Sequence, residues 1–384
     1  MEIFSVRFSL PSPSLFQFPP RNEPQTLQPI SITPSLYLKA LDVTIPITAS
    51  CVYAATVQAL NAYNLSNGSK PWRISKTKSW FYLVVLHNIL LATYSTWTFI
   101  GMFGALTRTV QSPAGPTGLV GLVDSLCKIH GTAGLGNGIA YRPTTSQRVY
   151  DPPLKNDRSP NPADRGRLWN EGLSFYGWIF YGSKIYEFLD TVIILTKGKK
   201  GSILQVYHHI GALMCTWAGI RYMSSPIWIP TFVNSGIHSL MYTYYTLTAF
   251  GIPIPGNLKK SLTIIQIIQL VFSDLLAAIY LFVSYTVPIE IGDPGTSSPI
   301  ALPMRLADPK YSQPTLQCSM QNVSCIDTSG QAFAAWMSVL YLTPLIWLFS
   351  RFYTQSYRKE VSGRVKERDG KRGSGREGNR HGML

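Results

Sequence analysis

The chain has 384 residues, of which 46% are hydrophobic and 12% aromatic but only 14% charged, a balance that excludes an ordinary water-soluble fold of this length. The formal net charge of +15 collects between apolar runs and in the C-terminal tail, so anionic lipid surfaces or phosphate-bearing substrates are the expected partners. The basic residues form no single stripe interleaved with aromatics, which argues against nucleic acid as a partner.

Residues 1–35 are broken by Pro11, Pro13, Pro19 and Pro20, and Glu2 precedes any basic residue, so this stretch lacks the form of a cleavable signal peptide and reads as a mobile extension. From there to residue 354 the chain reads as one membrane domain. Runs of about 20 residues, enough to cross about 30 Å of hydrocarbon, centre on 41–63, 80–106, 173–195, 203–222, 227–250, 262–285 and 332–352. The expected fold is all-α, a bundle of about seven transmembrane helices around a polar chamber. Residues 355–384 read as a basic, disordered tail.

Short loops rich in Lys and Arg mark the cytosolic side. Lys70, Arg73, Lys76 and Lys78 follow the first run; Lys197, Lys199 and Lys200 follow the third; Lys259 and Lys260 follow the fifth. All fall on one side, with the tail. An odd number of spans then puts the N-terminus in the lumen and the C-terminus in the cytosol. Two long loops, 107–169 and 287–331, fall to the lumen, where an oxidising environment permits disulfides. Cys127 lies in the first, and Cys318, Cys325 and the sequon Asn322-Val-Ser324 in the second. A bridge from Cys127 to Cys318 or Cys325 would tie the loops together, and a local Cys318–Cys325 bridge is nearly as good. Asn322 is a glycosylation candidate; Asn67, on the cytosolic side, should be unused.

Polar groups at bilayer depth cost free energy, so each signals a function or an interhelical hydrogen bond. The third run carries Lys184, Glu187, Asp190 and Thr191 on an arc of roughly 120°. The i, i+3 spacing of Lys184 and Glu187 also suits a self-neutralised ion pair. The fourth run opens with Gln205, His208 and His209 within about 100°, and Cys215 returns to the His208 face as a small buried thiol. The fifth has Asn234, His238, Met241, Tyr242 and Tyr245 along one side. The sixth brings Thr263, Gln266 and Asp274 to one face, with Gln269 beside it, and the second adds His87 and Asn88. Stripes on four consecutive spans point to a shared polar chamber. No metal site is expected, because adjacent His208 and His209 do not converge on one ion as an i, i+4 pair does, and six histidines are too few for the boxes of a di-iron desaturase. A transporter or receptor with a polar pathway remains a rival reading.

Four of these segments, Lys184-Ile-Tyr-Glu187-Phe-Leu-Asp190-Thr191, Gln205-Val-Tyr-His208-His209, Asn234-Ser-Gly-Ile-His238-Ser-Leu-Met241-Tyr242 and Thr263-Ile-Ile-Gln266, resemble in order and spacing the motifs K-x-x-E-x-x-D-T, H-x-x-H-H, H-x-x-M-Y and T-x-x-Q of the ELO family of fatty acid elongases. The resemblance covers about residues 72–352. It implies an enzyme of the endoplasmic reticulum membrane, an acyltransferase that condenses a long-chain acyl-CoA with malonyl-CoA to a 3-ketoacyl-CoA, with no bound cofactor. It implies His208 as nucleophile, His209, His238 and Asn234 as hydrogen-bond donors to an enolate, and Lys184, Glu187 and Asp190 as groups that position the histidines. Gln205, Asn234, Tyr242, Thr263 and Gln266 are expected to contact substrate, with Lys199, Lys200 and Lys259 at the entrance for the CoA phosphates. Membrane lipid and the other enzymes of an elongation cycle are the implied partners, and an oligomer is compatible with the sequence. Gln205 departs from the first histidine of its motif; an amide does not titrate, and a similar variant occurs in family members that elongate polyunsaturated chains. The C-terminus carries no dilysine signal.

Overall fold

A computed structural model describes residues 5–19, 28–29, 31–131, 135–142, 147–150, 166–291 and 317–377. Ten helices are described: α1 (Pro34–Ala40), α2 (Thr44–Ser66), α3 (Lys78–Thr109), α4 (Gly118–Cys127), α5 (Ser174–Tyr186), α6 (Phe188–Thr196), α7 (Ile203–Arg221), α8 (Ser235–Ala249), α9 (Gly256–Phe282) and α10 (Ser329–Glu377). Side chains on α10 are described to residue 356. Local chemistry fixes several starts. The Thr77 hydroxyl accepts from the Trp80 amide at the head of α3, and the Ser202 hydroxyl accepts from the Gln205 amide at the head of α7, each satisfying an N–H that has no partner inside the helix.

By length and composition three helices are able to cross a membrane: α3, α9 and residues Ser329–Ser356 of α10. The pair α1 and α2, bent by 47° at their junction, makes a fourth. The other apolar runs do form helices, but the third is split into α5 and α6 at Glu187 and the fifth is shortened by a π-turn over Pro230–Asn234. By this measure three or four of the seven expected spans are long and apolar enough to cross, and the other runs form shorter or more polar helices. The outer faces of α3, α9 and α10 display Leu86, Ile100, Phe103, Ile268, Leu275, Leu340 and Trp347 to the surroundings, an apolar extent that suits lipid and would be a liability in water. This is a membrane protein.

The all-α expectation needs correction at one end of the bundle. Strand β1 (Val6–Phe8) pairs with β4 (Val283–Ile291), which pairs with β5 (Gln317–Ser324), all antiparallel, and β2 (Ile139–Arg142) pairs with β3 (Gln147–Tyr150). Val6 lies opposite Tyr285 and Phe8 opposite Val283. Residues Val6–Phe8 of the N-terminal extension are thus paired with β4, and the backbone of α10 continues as far as Glu377.

We call this end the crown. Its apolar centre joins Val120, Tyr280, Leu281, Tyr285, Val323 and Ile326. Buried Asp124 accepts from the Gly136 amide and the Tyr285 hydroxyl on Oδ1 and from Arg167 on Oδ2, each at 2.7 Å. Burial beside that carboxylate pushes the Tyr285 phenol well above its ordinary range. Lys128 pairs with Asp327. Cys127, closing α4, is bonded to Cys325 across a sequence separation of 198. Cys318 lies opposite Glu290 in β5, its side chain outside the described residues. Asn322 is exposed on β5, opposite Thr286.

Candidate active site

Between α5, α7, α9, α10 and the segment 224–234 lies a narrow cavity of about 80 Å³. One end is polar, where Lys184, His208, Asn234, Gln269 and Tyr341 meet; the rest is mostly apolar, with Ile227, Leu270, Ala277 and Ala334 on its walls. Small residues let the helices approach here. A side chain at Gly219 would overlap Ile227, and one at Gly211 would overlap the Tyr341 ring.

The polar end is built on the break at Glu187. Its backbone serves as both the C-cap of α5 and the N-cap of α6, so the two halves of the third run carry their polar residues in different directions. Lys184, 3% exposed, donates to Glu187 Oε1 at 2.8 Å and to Asn234 Oδ1 at 3.3 Å, with its ammonium 4.1 Å from the centre of the Phe180 ring. Ser183 Oγ donates to Glu187 Oε1 at 3.3 Å, and His238 Nδ1 stands 3.8 Å from it. The charge of Lys184 is thereby matched and its donors used, as a buried ion requires. Asn234 Nδ2 reaches Gln269 Oε1 at 3.5 Å. His208 Nδ1 lies 2.8 Å from the Tyr341 hydroxyl.

Asp190 belongs to a second group, across the break. Its Oδ1 lies 2.9 Å from His87 Nε2, and its Oδ2 accepts from the Tyr242 hydroxyl at 2.6 Å. Thr191 bonds the Tyr53 hydroxyl at 2.7 Å. His209, buried, sits edge-on to Tyr53 and Phe188, with its ring centre 5.5 Å from that of His208. The two groups share the α5–α6 break and the α8 helix, whose His238 and Tyr242 rings contact each other at 5.7 Å.

Several expected residues stand elsewhere. Gln205 is half-buried at the head of α7 and does not line the cavity. Thr263 bonds the Lys259 carbonyl of its own helix, and Gln266 reaches the Met241 sulfur at 3.2 Å; neither lines the cavity. Asp274 accepts from Thr343 on α10. On α9 the cavity side is instead Gln269, Leu270, Ser273 and Ala277. Lys199, Lys200 and Lys259 are exposed. Sequence reasoning missed Tyr341 and Tyr53 altogether, since a tyrosine in an apolar helix carries no polar periodicity. Among the described residues no cluster of His, Cys, Asp and Glu is arranged to hold a metal ion.

Residues 39–364 match the family described as ELO: GNS1/SUR4 family. Among curated proteins, the chain is 39% identical over 110 residues to fatty acid elongase A of Dictyostelium discoideum, covering 29% of this chain and 38% of that protein. It is 27% identical over 199 residues to very long chain fatty acid elongase 3 of Homo sapiens, covering 51% and 59%, and 37% identical over 124 residues to very long chain fatty acid elongase 1 of Homo sapiens, covering 30% and 44%. The matched stretches thus span less than two thirds of each relative's length.

Proposed function

The chain belongs to the ELO family, and from that premise we propose that it condenses a long-chain acyl-CoA with malonyl-CoA, with His208 as the nucleophile. The observation that carries this reading is His208 at the polar end of a largely apolar cavity, beside the buried Lys184–Glu187 pair and Asn234. Such a cavity offers an acyl chain an apolar lining and the thioester a nucleophile.

In the first step an imidazole nitrogen of His208 bonds to the acyl carbon, the C–S bond breaks, and its electron pair leaves on the CoA sulfur, which takes up a proton. In the second, malonyl-CoA loses carbon dioxide and the C–C pair becomes an enolate. The enolate carbon attacks the acyl carbon, the C–N bond breaks, and its electrons return to His208. The product is a 3-ketoacyl-CoA two carbons longer. Asn234, which lines the cavity, and buried His238 serve as the donors to the enolate oxygen, and a water-poor site strengthens them. Lys184 and Glu187 hold Asn234 and His238 in place, and Asp190 holds His87 and Tyr242.

The remaining features belong to the same proposal: seven spans in the endoplasmic reticulum membrane, the N-terminus and crown in the lumen, and the C-terminus in the cytosol. The crown's disulfide supports the lumenal side for that end. Exposed Lys199, Lys200 and Lys259 suit the CoA phosphates at the opposite entrance. Gln205 in place of a histidine favours unsaturated chains.

The test is to express the chain in microsomes lacking their own elongases and supply saturated and polyunsaturated acyl-CoAs with carbon-labelled malonyl-CoA. Label in a chain-extended product, lost in His208→Ala, is the expected result. Folded protein with no incorporation from any acyl-CoA would overturn the reading in favour of transport.

A further inference from the structure

The contacts of Tyr341 assign a proton. This residue, on α10, is seated against α7 by two features: Gly211 leaves room for its ring, and the Tyr207 hydroxyl donates to its backbone carbonyl at 3.1 Å. In that seat its hydroxyl lies 2.8 Å from His208 Nδ1 and 3.1 Å from the backbone carbonyl oxygen of the same histidine. A carbonyl oxygen accepts only, and a phenol has one proton to give. If that proton went to Nδ1, the phenol and carbonyl oxygens would face each other at 3.1 Å with lone pairs alone. Both contacts become hydrogen bonds in one arrangement: the phenol donates to the carbonyl, and Nδ1–H donates to the phenol oxygen.

We propose that Tyr341 is a positioning residue that holds His208 in its Nδ1–H tautomer and so leaves the lone pair on Nε2, the atom that attacks the thioester; the catalytic part of this rests on the reading of His208 as nucleophile. Nε2 has no protein hydrogen bond among the described residues, and the His208 side chain lines the cavity. A neutral imidazole carries its proton on one nitrogen, and the partner of that nitrogen decides which one reacts. When the Nε2 lone pair forms the bond to the acyl carbon and the C–S electron pair leaves on sulfur, the ring becomes an acyl-imidazolium. Its Nδ1–H still donates to the Tyr341 oxygen, which stabilises the positive charge; loss of that proton gives the neutral acyl-imidazole. The phenol also keeps α10 and α7 in register, so the ring does not rotate out of the cavity.

The full chain, labelled with ¹⁵N-histidine in lipid nanodiscs, is examined by nitrogen NMR above the ordinary imidazole pKa of about 6.5, with His208→Ala used to assign the His208 signals. Wild type is expected to show Nδ1 protonated and Nε2 bare. Tyr341→Phe keeps the ring and removes the hydroxyl; it is expected to mix the two tautomers and lower kcat on the order of 100-fold with KM nearly unchanged. A wild-type His208 protonated on Nε2 overturns the inference, and that readout does not require Tyr341→Phe to fold. An unchanged tautomer in Tyr341→Phe overturns it as well. The tautomer is read without the reaction, so elongation that survives His208→Ala would sink the reaction scheme, and with it the catalytic part, even where the tautomer is as stated.

Discussion

Asp124 in the crown and Glu187 between the spans are both buried acids with a cation at hydrogen-bond distance, Arg167 at 2.7 Å and Lys184 at 2.8 Å. Asp124 spends both oxygens on fixed partners, with the Gly136 amide and Tyr285 completing its shell inside an apolar cluster. Glu187 has a looser set, Lys184, Ser183 and a histidine at 3.8 Å, and the Lys184 ammonium borders a cavity. The partners of Asp124 are all parts of the chain packed within the crown, whereas the Lys184–Glu187 pair sits on the wall of a cavity.

The comparison breaks most clearly at its two centres. His208→Ala is expected to lower condensation on the order of 1,000-fold or more while leaving thermal unfolding in detergent nearly unchanged; an equal loss of both would make His208 structural. Arg167→Met should do the opposite. It strands Asp124 as a buried unpaired charge and should cost about 3–5 kcal/mol, read as a lower unfolding midpoint, with activity at low temperature retained.

Those centres differ in how far the sequence revealed them. Lys184, His208 and Asn234 were legible because charged and imidazole groups at helical spacing inside apolar runs have no cheap alternative to a shared interior. The wall formed by Gln269 and Ser273 was not, since the stripe of Thr263, Gln266 and Asp274 on the same helix is equally polar and only packing decides which side faces in. The break at Glu187 carries no Pro or Gly to announce it. The strand β4 was hidden because the alternating Val283, Tyr285 and Val287 directly follow an apolar helix and read as its continuation. The Cys127 partner was open between Cys318 and Cys325, with a local Cys318–Cys325 bridge nearly as good, and the structure bonds Cys127 to Cys325.

Two smaller effects sharpen the crown's side of the comparison. Cys127→Ser should cost about 2–5 kcal/mol by releasing a long closed loop, measured as a drop in the unfolding midpoint that reducing agent reproduces in wild type but not in the variant. His130 accepts from the Gln331 amide, and burial, helped by Lys128 and Arg167, lowers its pKa to about 4. Its unfolded pKa is about 6.5, so its contribution to stability is fully present above that value and is lost as pH falls through about 4. Unfolding midpoints followed from pH 7 to 4 should decline, and His130→Gln should flatten the part due to this residue. An unchanged slope would mean that His130 is protonated in place.

The central claim is that His208 carries the acyl group, and it is tested most directly by trapping. The full chain is incubated with acyl-CoA and no malonyl-CoA, digested under mild conditions, and its peptides are weighed by mass spectrometry. The account predicts an acyl mass on the peptide that contains His208, removed by subsequent malonyl-CoA and absent in His208→Ala. Turnover in the complete reaction with the acyl mass on another residue, or on none, would contradict it.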